Sequence, residues 1–303
     1  TYFGGKKEQT AKNTRVKARV KAEALREFIV TKDQVIVMGH KIADPDSFGA
    51  CMGIYRAAVS LEKKAHIVIN EVTGSVRPLY DEIAESPAYE DDIFLTSDQA
   101  LDYVNDNTMI IVVDTNKPQM TECPELLRRS RMIAVLDHHR QSSTVIANAV
   151  LSYVEPYSSS TCEMVTELVQ YIEDDVRINK LTAEGLLAGI SLDTKNFAFK
   201  TGVRTFEAAS YLKKSGADTI EVKKLKDFIT KAEIIQNAKV INNNICLAYT
   251  KTETDNINIV IAQAADELLN IKEVEASFVL ARKDDRVFIS ARSLGNINVH
   301  VLM

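Results

Sequence analysis

Histidine and aspartate cluster at three points of this chain, each time directly after an apolar run. Gly39-His40-Lys41-Ile42-Ala43-Asp44-Pro45-Asp46-Ser47 follows Val35-Ile36-Val37-Met38. Asp114 follows Met109-Ile110-Ile111-Val112-Val113, and Asp137-His138-His139 follows Met132-Ile133-Ala134-Val135-Leu136. Short apolar runs of this kind read as buried strands, and an open parallel sheet binds ligands in the crevice outside the carboxyl ends of its strands. The three clusters therefore converge on one rim. Pro45 fixes its own backbone angle and restricts Asp44, so the loop aims Asp44 and Asp46 at different neighbours. Asp193 closes the helical segment Leu181 to Leu192. An acidic side chain there opposes the helix dipole at a cost of about 0.3–1 kcal/mol, which a bound cation would offset.

The donor set His40, Asp44, Asp46, Asp114, His138 and Asp193 is oxygen-rich, includes imidazole and contains no thiolate. That chemistry favours Mn²⁺ or Mg²⁺ over a structural zinc, with iron or cobalt also compatible. Six donors are too many for one tetrahedral site and suit two cations that share a carboxylate. Held about 3.5–4 Å apart, two such cations clamp the attacking and leaving oxygens of a phosphate ester. Asp and Pro also form plain turns, and aspartate at a strand end often caps the next turn. Those readings explain each cluster alone but not their shared position at strand ends. Since adjacent residues of an extended segment point in opposite directions, His138 and His139 are expected to face different ways.

Other chemistry-bearing residues fall outside this pattern. His66 and His300 sit inside strand-like runs and read as solvent-facing strand residues. Cys51, Cys123, Cys162 and Cys246 show no Cys-x-x-Cys spacing and read as ordinary reduced side chains. Ser158-Ser159-Ser160-Thr161 lacks the Gly-x-Ser-x-Gly surround of a nucleophile elbow and precedes a helical pattern, so capping is favoured. Lys200-Thr201-Gly202-Val203-Arg204-Thr205 reads equally as an anion-binding turn or a capped surface turn.

The elements that must position these residues alternate. Strand-like and helical runs succeed one another from Val35 to Leu212, with helices over Ser47 to Leu61 and Thr161 to Ile172 and a strand at His66 to Ile69. This predicts an α/β fold: a mainly parallel sheet with helices on both faces, followed by a smaller α+β domain. The expected boundaries are a connecting helix over 1–32, the catalytic domain over 33–215, a polar linker over 216–228 and a second domain over 229–303. Strand candidates in the last are Ile245 to Tyr249, Ile257 to Ala262, Ala276 to Leu280, Val287 to Ala291 and Ile297 to Leu302. In the first helix, Val16, Val20, Ala24 and Phe28 form the expected apolar face, with Arg15, Lys17, Arg19 and Lys21 supplying charge. A solvated basic face, a homodimer contact or an interdomain connector are its alternatives. The chain has 303 residues, 46% of them apolar, enough for two cores. No apolar run is long enough to span a bilayer, so no membrane contact is expected of these residues. A net charge of −5 argues against a long nucleic-acid track but not against a short nucleotide held by metals.

In the order of its motifs the chain resembles the DHH phosphoesterase superfamily, named for a motif of the Asp137-His138-His139 type. Gly39-His40 with Asp44 and Asp46, then Val113-Asp114, then Asp137-His138-His139, then Leu192-Asp193-Thr194-Lys195 carry the likeness. Within that superfamily it resembles the bacterial cyclic-di-AMP phosphodiesterases, on Asp46-Ser47-Phe48-Gly49, Tyr153-Val154-Glu155-Pro156-Tyr157 and Lys200 to Phe206. The segment Ser290-Ala291-Arg292-Ser293-Leu294-Gly295 resembles the DHH-associated substrate domain. The resemblance implies hydrolysis of cyclic di-AMP to 5′-pApA by hydroxide held between two Mn²⁺ ions, Mg²⁺ or Co²⁺ being substitutes. One metal would be held by His40, Asp44 and Asp114, the other by Asp46, Asp114, His138 and Asp193. Catalytic roles fall to Asp114 as the bridge and to His139, which faces the scissile phosphate, with Arg292 and Ser293 near the substrate. It implies a cytoplasmic domain of a membrane-anchored parent, with Tyr2-Phe3-Gly4-Gly5-Lys6 resembling the tail of a preceding domain. A Gly-Gly-Gly-His loop would follow the strand ending at Met303, so the second domain is expected to be incomplete at its C-terminus. The rivals are an enzyme trimming pApA-type oligonucleotides, a RecJ-like nuclease, a manganese-dependent pyrophosphatase and a nucleotide sensor without turnover.

Overall fold

The computed structural model of the chain describes residues 5–302 except 142–143, 173–175, 177, 243, 253–255, 284 and 296. Tyr2, Phe3, Gly4 and Met303, on which two of the expectations above rest, lie outside the described residues. The chain divides into two compact units, Thr1–Val222 and Lys223–Met303. In chain order the first holds α1 (Gly5–Val30), β1 (Gln34–Met38), α2 (Pro45–Ser60), β2 (Lys64–Val68), α3 (Arg77–Ala84), β3 (Phe94–Leu95), α4 (Ser97–Tyr103), β4 (Thr108–Val113), α5 (Leu126–Arg129), β5 (Ile133–Asp137), β6 (Leu151–Val154), α6 (Thr161–Ile172), α7 (Lys180–Asp193) and α8 (Val203–Lys214). The helix α9 (Thr219–Gln236) begins in the first unit and runs into the second, so the stretch expected as a linker over 216–228 is helical from Thr219.

All six strands of the first unit run parallel, in the order β3-β2-β1-β4-β5-β6. Strands β1, β4 and β5 are buried at every position, which is why each reads as an unbroken apolar run rather than an alternating one. On one face Ile36, Met38, Ile110, Val112, Ile133 and Val135 pack with Ala100 of α4 and with Leu126 and Leu127 of α5. On the other face α2 lies against β1, β2 and β4, and α6 against β5. The strand order reverses direction between β1 and β4, and a reversal of this kind opens the crevice where doubly wound sheets bind ligands.

Two local expectations for this unit are corrected. His66 is 3% exposed rather than solvent-facing, and its Nδ1 lies 2.8 Å from the Asp92 carbonyl oxygen. Its strand β2 is flanked by β1 and β3, and helices cover the sheet, so it has no wet face. Helix α1 forms, but it buries Ala18, Ala22, Leu25 and Ile29, while Val16 and Val20 are 65% and 56% exposed. A strict four-residue repeat drifts around a helix with 3.6 residues per turn, whereas the Ala18-Ala22-Leu25-Ile29 series follows one face. Its small alanines suit close approach to α6, beside which α1 lies.

The second unit continues with β7 (Lys239–Ile241), β8 (Ile245–Thr250), α10 (Ile257–Leu268), β9 (Ala276–Lys283), β10 (Arg286–Ser293) and α11 (Val299–Leu302). Its sheet order is β10-β9-β8-β7, with β8 and β9 parallel and the outer pairs antiparallel. Ile257 to Ala262, expected as a strand, is the start of α10. Its β-branched run mimics a strand, yet Ile257, Val260, Ile261, Ala264, Ala265 and Leu268 recur at helical spacing and are all buried. A parallel β8–β9 pair also requires a crossover, which α10 supplies. Ile297 to Leu302 is not a strand either. Gly295, at φ +111°, turns the chain after β10, and α11 follows at Val299; His300 lies in that helix, and its side chain is not among those described. All four cysteines are buried and free. Among the described residues, no helix is long and apolar enough to cross a membrane.

Candidate metal centre

The centre is built at the carboxyl ends of three adjacent strands. Asp114 follows β4 in the left-handed region, at φ +60°, a conformation costly for a non-glycine residue and held by the hydrogen bond its backbone N–H donates to Leu136 O at 2.9 Å. Its carboxylate, 3% exposed, turns Oδ2 toward His40 Nε2 at 3.3 Å and Oδ1 toward His138 Nε2 at 3.5 Å. One carboxylate thus faces two imidazoles with different oxygens.

His40 is fixed after β1 by a bridge to Thr121, and its Nε2 lies 3.5 Å from Asp44 Oδ2. Asp44 is the N-cap of α2, where its Oδ1 accepts a hydrogen bond from Ser47 N at 2.9 Å and Pro45 occupies the first turn. The same loop points Asp46 the other way, into the first unit's interior, where it is 2% exposed. His138 Nε2 lies 3.7 Å from Asp46 Oδ2 and 3.4 Å from Asp193 Oδ2. Asp193 is the last residue of α7, as the sequence predicts.

Among the described residues, ligand-type atoms within 4.8 Å of one another fall into three groups: His40, Asp44 and Asp114; Asp46, His138 and Asp193; and Asp114, His138 and His139. The structure therefore brings all six sequence-predicted ligand residues together and adds His139 to their neighbourhood. His138 and His139 do not point apart as expected, because β5 ends at Asp137 and the chain bends; their ring centroids are 4.3 Å apart. They differ in partner instead. His139 Nδ1 lies 2.8 Å from Asp137 Oδ1, and the ring is 57% exposed at the mouth of a cleft of about 350 Å³ lined by His40, Asp44, Asn116, Lys117 and Arg140.

Electrostatics give the site its chemical demand. Burial, reinforced by the neighbouring charges of Asp114 and Asp44, pushes the Asp193 carboxyl up to about 7. Burial and the charges of Asp114, Asp193 and Asp44 drive Asp46 well above the usual carboxylate range. Burial alone would lower His40, but hydrogen bonds to Asp114 and Asp44 outweigh it and hold the imidazole at about 10. Burial depresses His138. Two buried carboxyls, Asp46 and Asp193, favour protonation when no other cation is near, and two further carboxylates and imidazole nitrogens stand beside them, a donor set that fits a pair of hard or borderline divalent ions.

Several positioning residues escaped the sequence reading. The carboxylate of Asp46 sits on the N-terminus of α6, accepting from Thr161 N at 2.7 Å and Cys162 N at 2.8 Å. Thr161 Oγ1 donates to Asp114 Oδ1 at 2.8 Å. Asp137, fully buried, also accepts a hydrogen bond from Asn116 Nδ2. The serines before Thr161 act as caps: Glu163 N donates to Ser160 Oγ at 3.0 Å, and Ser158 Oγ donates to Glu163 Oε1 at 2.9 Å. The turn at Lys200 to Thr205 also caps, since Gly202 N donates to Thr205 Oγ1 at 3.0 Å ahead of α8. Arg292 and Ser293 close β10 in the second unit, where Arg292 Nε donates to Asp266 Oδ1 at 2.6 Å and Ser293 Oγ accepts from Gly295 N at 3.0 Å.

The family description "DHH family, N-terminal domain" matches residues 34–190, a stretch holding every ligand candidate except Asp193, three residues beyond. The chain belongs to the DHH family. This DHH chain is 44% identical, over 314 aligned positions, to cyclic-di-AMP phosphodiesterase GdpP of Bacillus subtilis, and 41% identical over 310 to cyclic-di-AMP phosphodiesterase PdeA of Listeria monocytogenes. Each alignment covers 100% of this DHH chain and 47% of the relative, so the chain spans about half the length of the curated relatives it matches. In fold it is similar to an exopolyphosphatase-related protein from Bacteroides fragilis, with a TM-score of 0.57, 20% identity, and 91% and 84% of the two chains covered.

Proposed function

We propose that this chain hydrolyses one 3′,5′-phosphodiester bond of cyclic di-AMP and releases linear 5′-pApA, using two divalent cations of which Mn²⁺ is the preferred species. The observation that carries the reading is the pair of ligand groups, His40-Asp44-Asp114 and Asp46-His138-Asp193, joined through the two oxygens of Asp114. The relatives named as cyclic-di-AMP phosphodiesterases support the choice of substrate.

His40, Asp44 and Asp114 would hold one cation, and Asp46, Asp114, His138 and Asp193 the other. When bound, the cations supply charge neutralisation at the phosphoryl oxygens and a lowered pKa for water. The chain's own part is orientation. Thr161 and the α6 N-terminus hold Asp46 and Asp114 in place, as outer partners of metal ligands do. His139 keeps its Nδ1 on Asp137, which leaves Nε2 to hydrogen-bond the scissile phosphate or protonate the departing 3′ oxygen. Arg292 and Ser293 serve the substrate from the second unit. A membrane-anchored parent with this site on its cytoplasmic side belongs to the same proposal; the chain spans 47% of the length of the Bacillus subtilis relative, which leaves room for further segments there.

The test is incubation with Mn²⁺ and, separately, cyclic di-AMP, cyclic di-GMP, pApA and pyrophosphate, with products resolved by chromatography. Cyclic di-AMP converted to pApA is the expected result. Turnover of pApA or pyrophosphate with cyclic di-AMP left intact would replace the proposal by one of its rivals.

A further inference from the structure

A second cleft of about 360 Å³ lies beside the metal centre in the first unit, lined by Lys17 and Lys21 of α1 and by Arg140, Val154 and Pro156. Arg140 also lines the catalytic cleft, directly after His139, so the two clefts share a wall. The Arg140 guanidinium is exposed and makes no hydrogen bond or ion pair among the described residues. Lys17 Nζ donates to Glu155 Oε2 at 2.9 Å, and Lys21 Nζ donates to Ser152 O at 3.1 Å. An ammonium has three donors, so Lys21 keeps two to offer and Lys17, whose Nζ also lies 5.4 Å from the centre of the Tyr153 ring, keeps at least one. Glu155 offsets one charge and leaves the groove with a net excess of two cations. Next to Pro156 stands Tyr157, 91% exposed and without a polar or ring partner among the described residues.

Cations that match phosphate oxygens, with an exposed aromatic side chain one residue along the chain from the cleft's Pro156, are the chemistry that holds a nucleotide. The opposite sign prevails at the metal centre, where four carboxylates gather. A substrate with two phosphates presents one to the cations and must place the other nearby. We propose that the Lys17-Lys21-Arg140 groove receives the phosphate that is not cut, and that Tyr157 stacks on the base attached to it. The basic face of α1 is then a specificity device rather than a merely solvated surface. This inference rests on the reading of a dinucleotide substrate.

The experiment measures binding as well as turnover, on the full chain loaded with Mn²⁺. Lys21→Ala and Tyr157→Ala change exposed side chains, and melting curves check that each variant folds. Each is expected to raise KM for cyclic di-AMP about tenfold with kcat retained, the size of one charge-assisted hydrogen bond or one stacked base. The selectivity for cyclic di-AMP over bis(p-nitrophenyl) phosphate, which has a single phosphate, should fall by the same factor. By titration calorimetry both variants should weaken pApA binding while AMP binding changes little; Arg140→Ala, which touches both clefts, should weaken both. Equal effects on AMP and pApA, or none on either, overturn the groove. A wild-type chain that leaves cyclic di-AMP intact overturns the substrate reading instead, and the comparison of pApA with AMP still decides the groove.

Discussion

At the residue scale the centre separates groups that hold charge from groups that aim. Asp114 is the test of sharing, because its two oxygens face His40 and His138 respectively. Asp114→Ala is expected to abolish turnover and to reduce bound metal below two ions per chain by elemental analysis; full occupancy would remove the bridging role. His138→Ala should lose a metal, since its Nε2 lies within 3.7 Å of Asp46, Asp114 and Asp193. His139→Ala should keep both metals and lose about 10²–10⁴-fold in kcat, the usual contribution of a positioned acid or hydrogen-bond donor. Metal loss equal to that of His138→Ala would make His139 a ligand. The six candidate ligand residues were legible because histidine and aspartate gathered at the ends of apolar runs are conspicuous. Thr161 and Asn116 were not, because a threonine at a helix start and an asparagine in a turn have ordinary local explanations, and their partners lie 47 and 21 residues away in the chain.

At the element scale, metal geometry depends on how closely α2 approaches α7. A Cβ added at Gly189 of α7 would lie 2.5 Å from Cys162 Sγ, 2.9 Å from Asp46 Cα and 3.0 Å from Pro45 O; one added at Gly49 of α2 would lie 2.6 Å from Gly185 O. Gly189→Ala therefore pushes α7 away from the turn that carries Asp46. It should destabilise the chain by about 1–3 kcal/mol, as overpacking does, and weaken the metal held by Asp46 and Asp193 more than the one held by His40 and Asp44. Denaturant melts and metal titration read the two effects, and equal weakening at both sites would argue against a local cause. The pairs Gly49/Gly53 and Gly185/Gly189, each four apart, are a signal in the sequence for this close crossing. The strand β1 and helix α7 were legible from period and length. Helix α10 was not, because its leading Ile257-Asn258-Ile259-Val260 looks like a strand until the buried series is followed to Leu268.

At the scale of the whole molecule, the first unit concentrates repulsion where the chain must stay folded, and proton uptake relieves it when metal is withheld. Asp193 has its folded pKa raised from 3.8 to about 7, and Asp46 moves the same way. A carboxyl raised in the folded state favours folding while protonated, so its contribution is lost as pH climbs through that window. His40, raised from 6.5 to about 10, contributes below 6.5 and loses that contribution as pH rises through 10. All three shifts make the metal-free chain less stable with rising pH. Cations replace those protons, so metal binding tightens as pH rises and releases protons to solution. A ligand that binds only the folded state adds stability, about 4 kcal/mol at a thousandfold excess over its Kd. The gap in melting temperature between Mn²⁺-loaded and chelator-treated chain should therefore widen from acid to neutral pH and on into the alkaline range. Calorimetry in buffers of different ionisation enthalpy should register the released protons. A gap that stays constant across that range, with no proton release, would mean that the carboxylates and His40 are not the groups the metals engage.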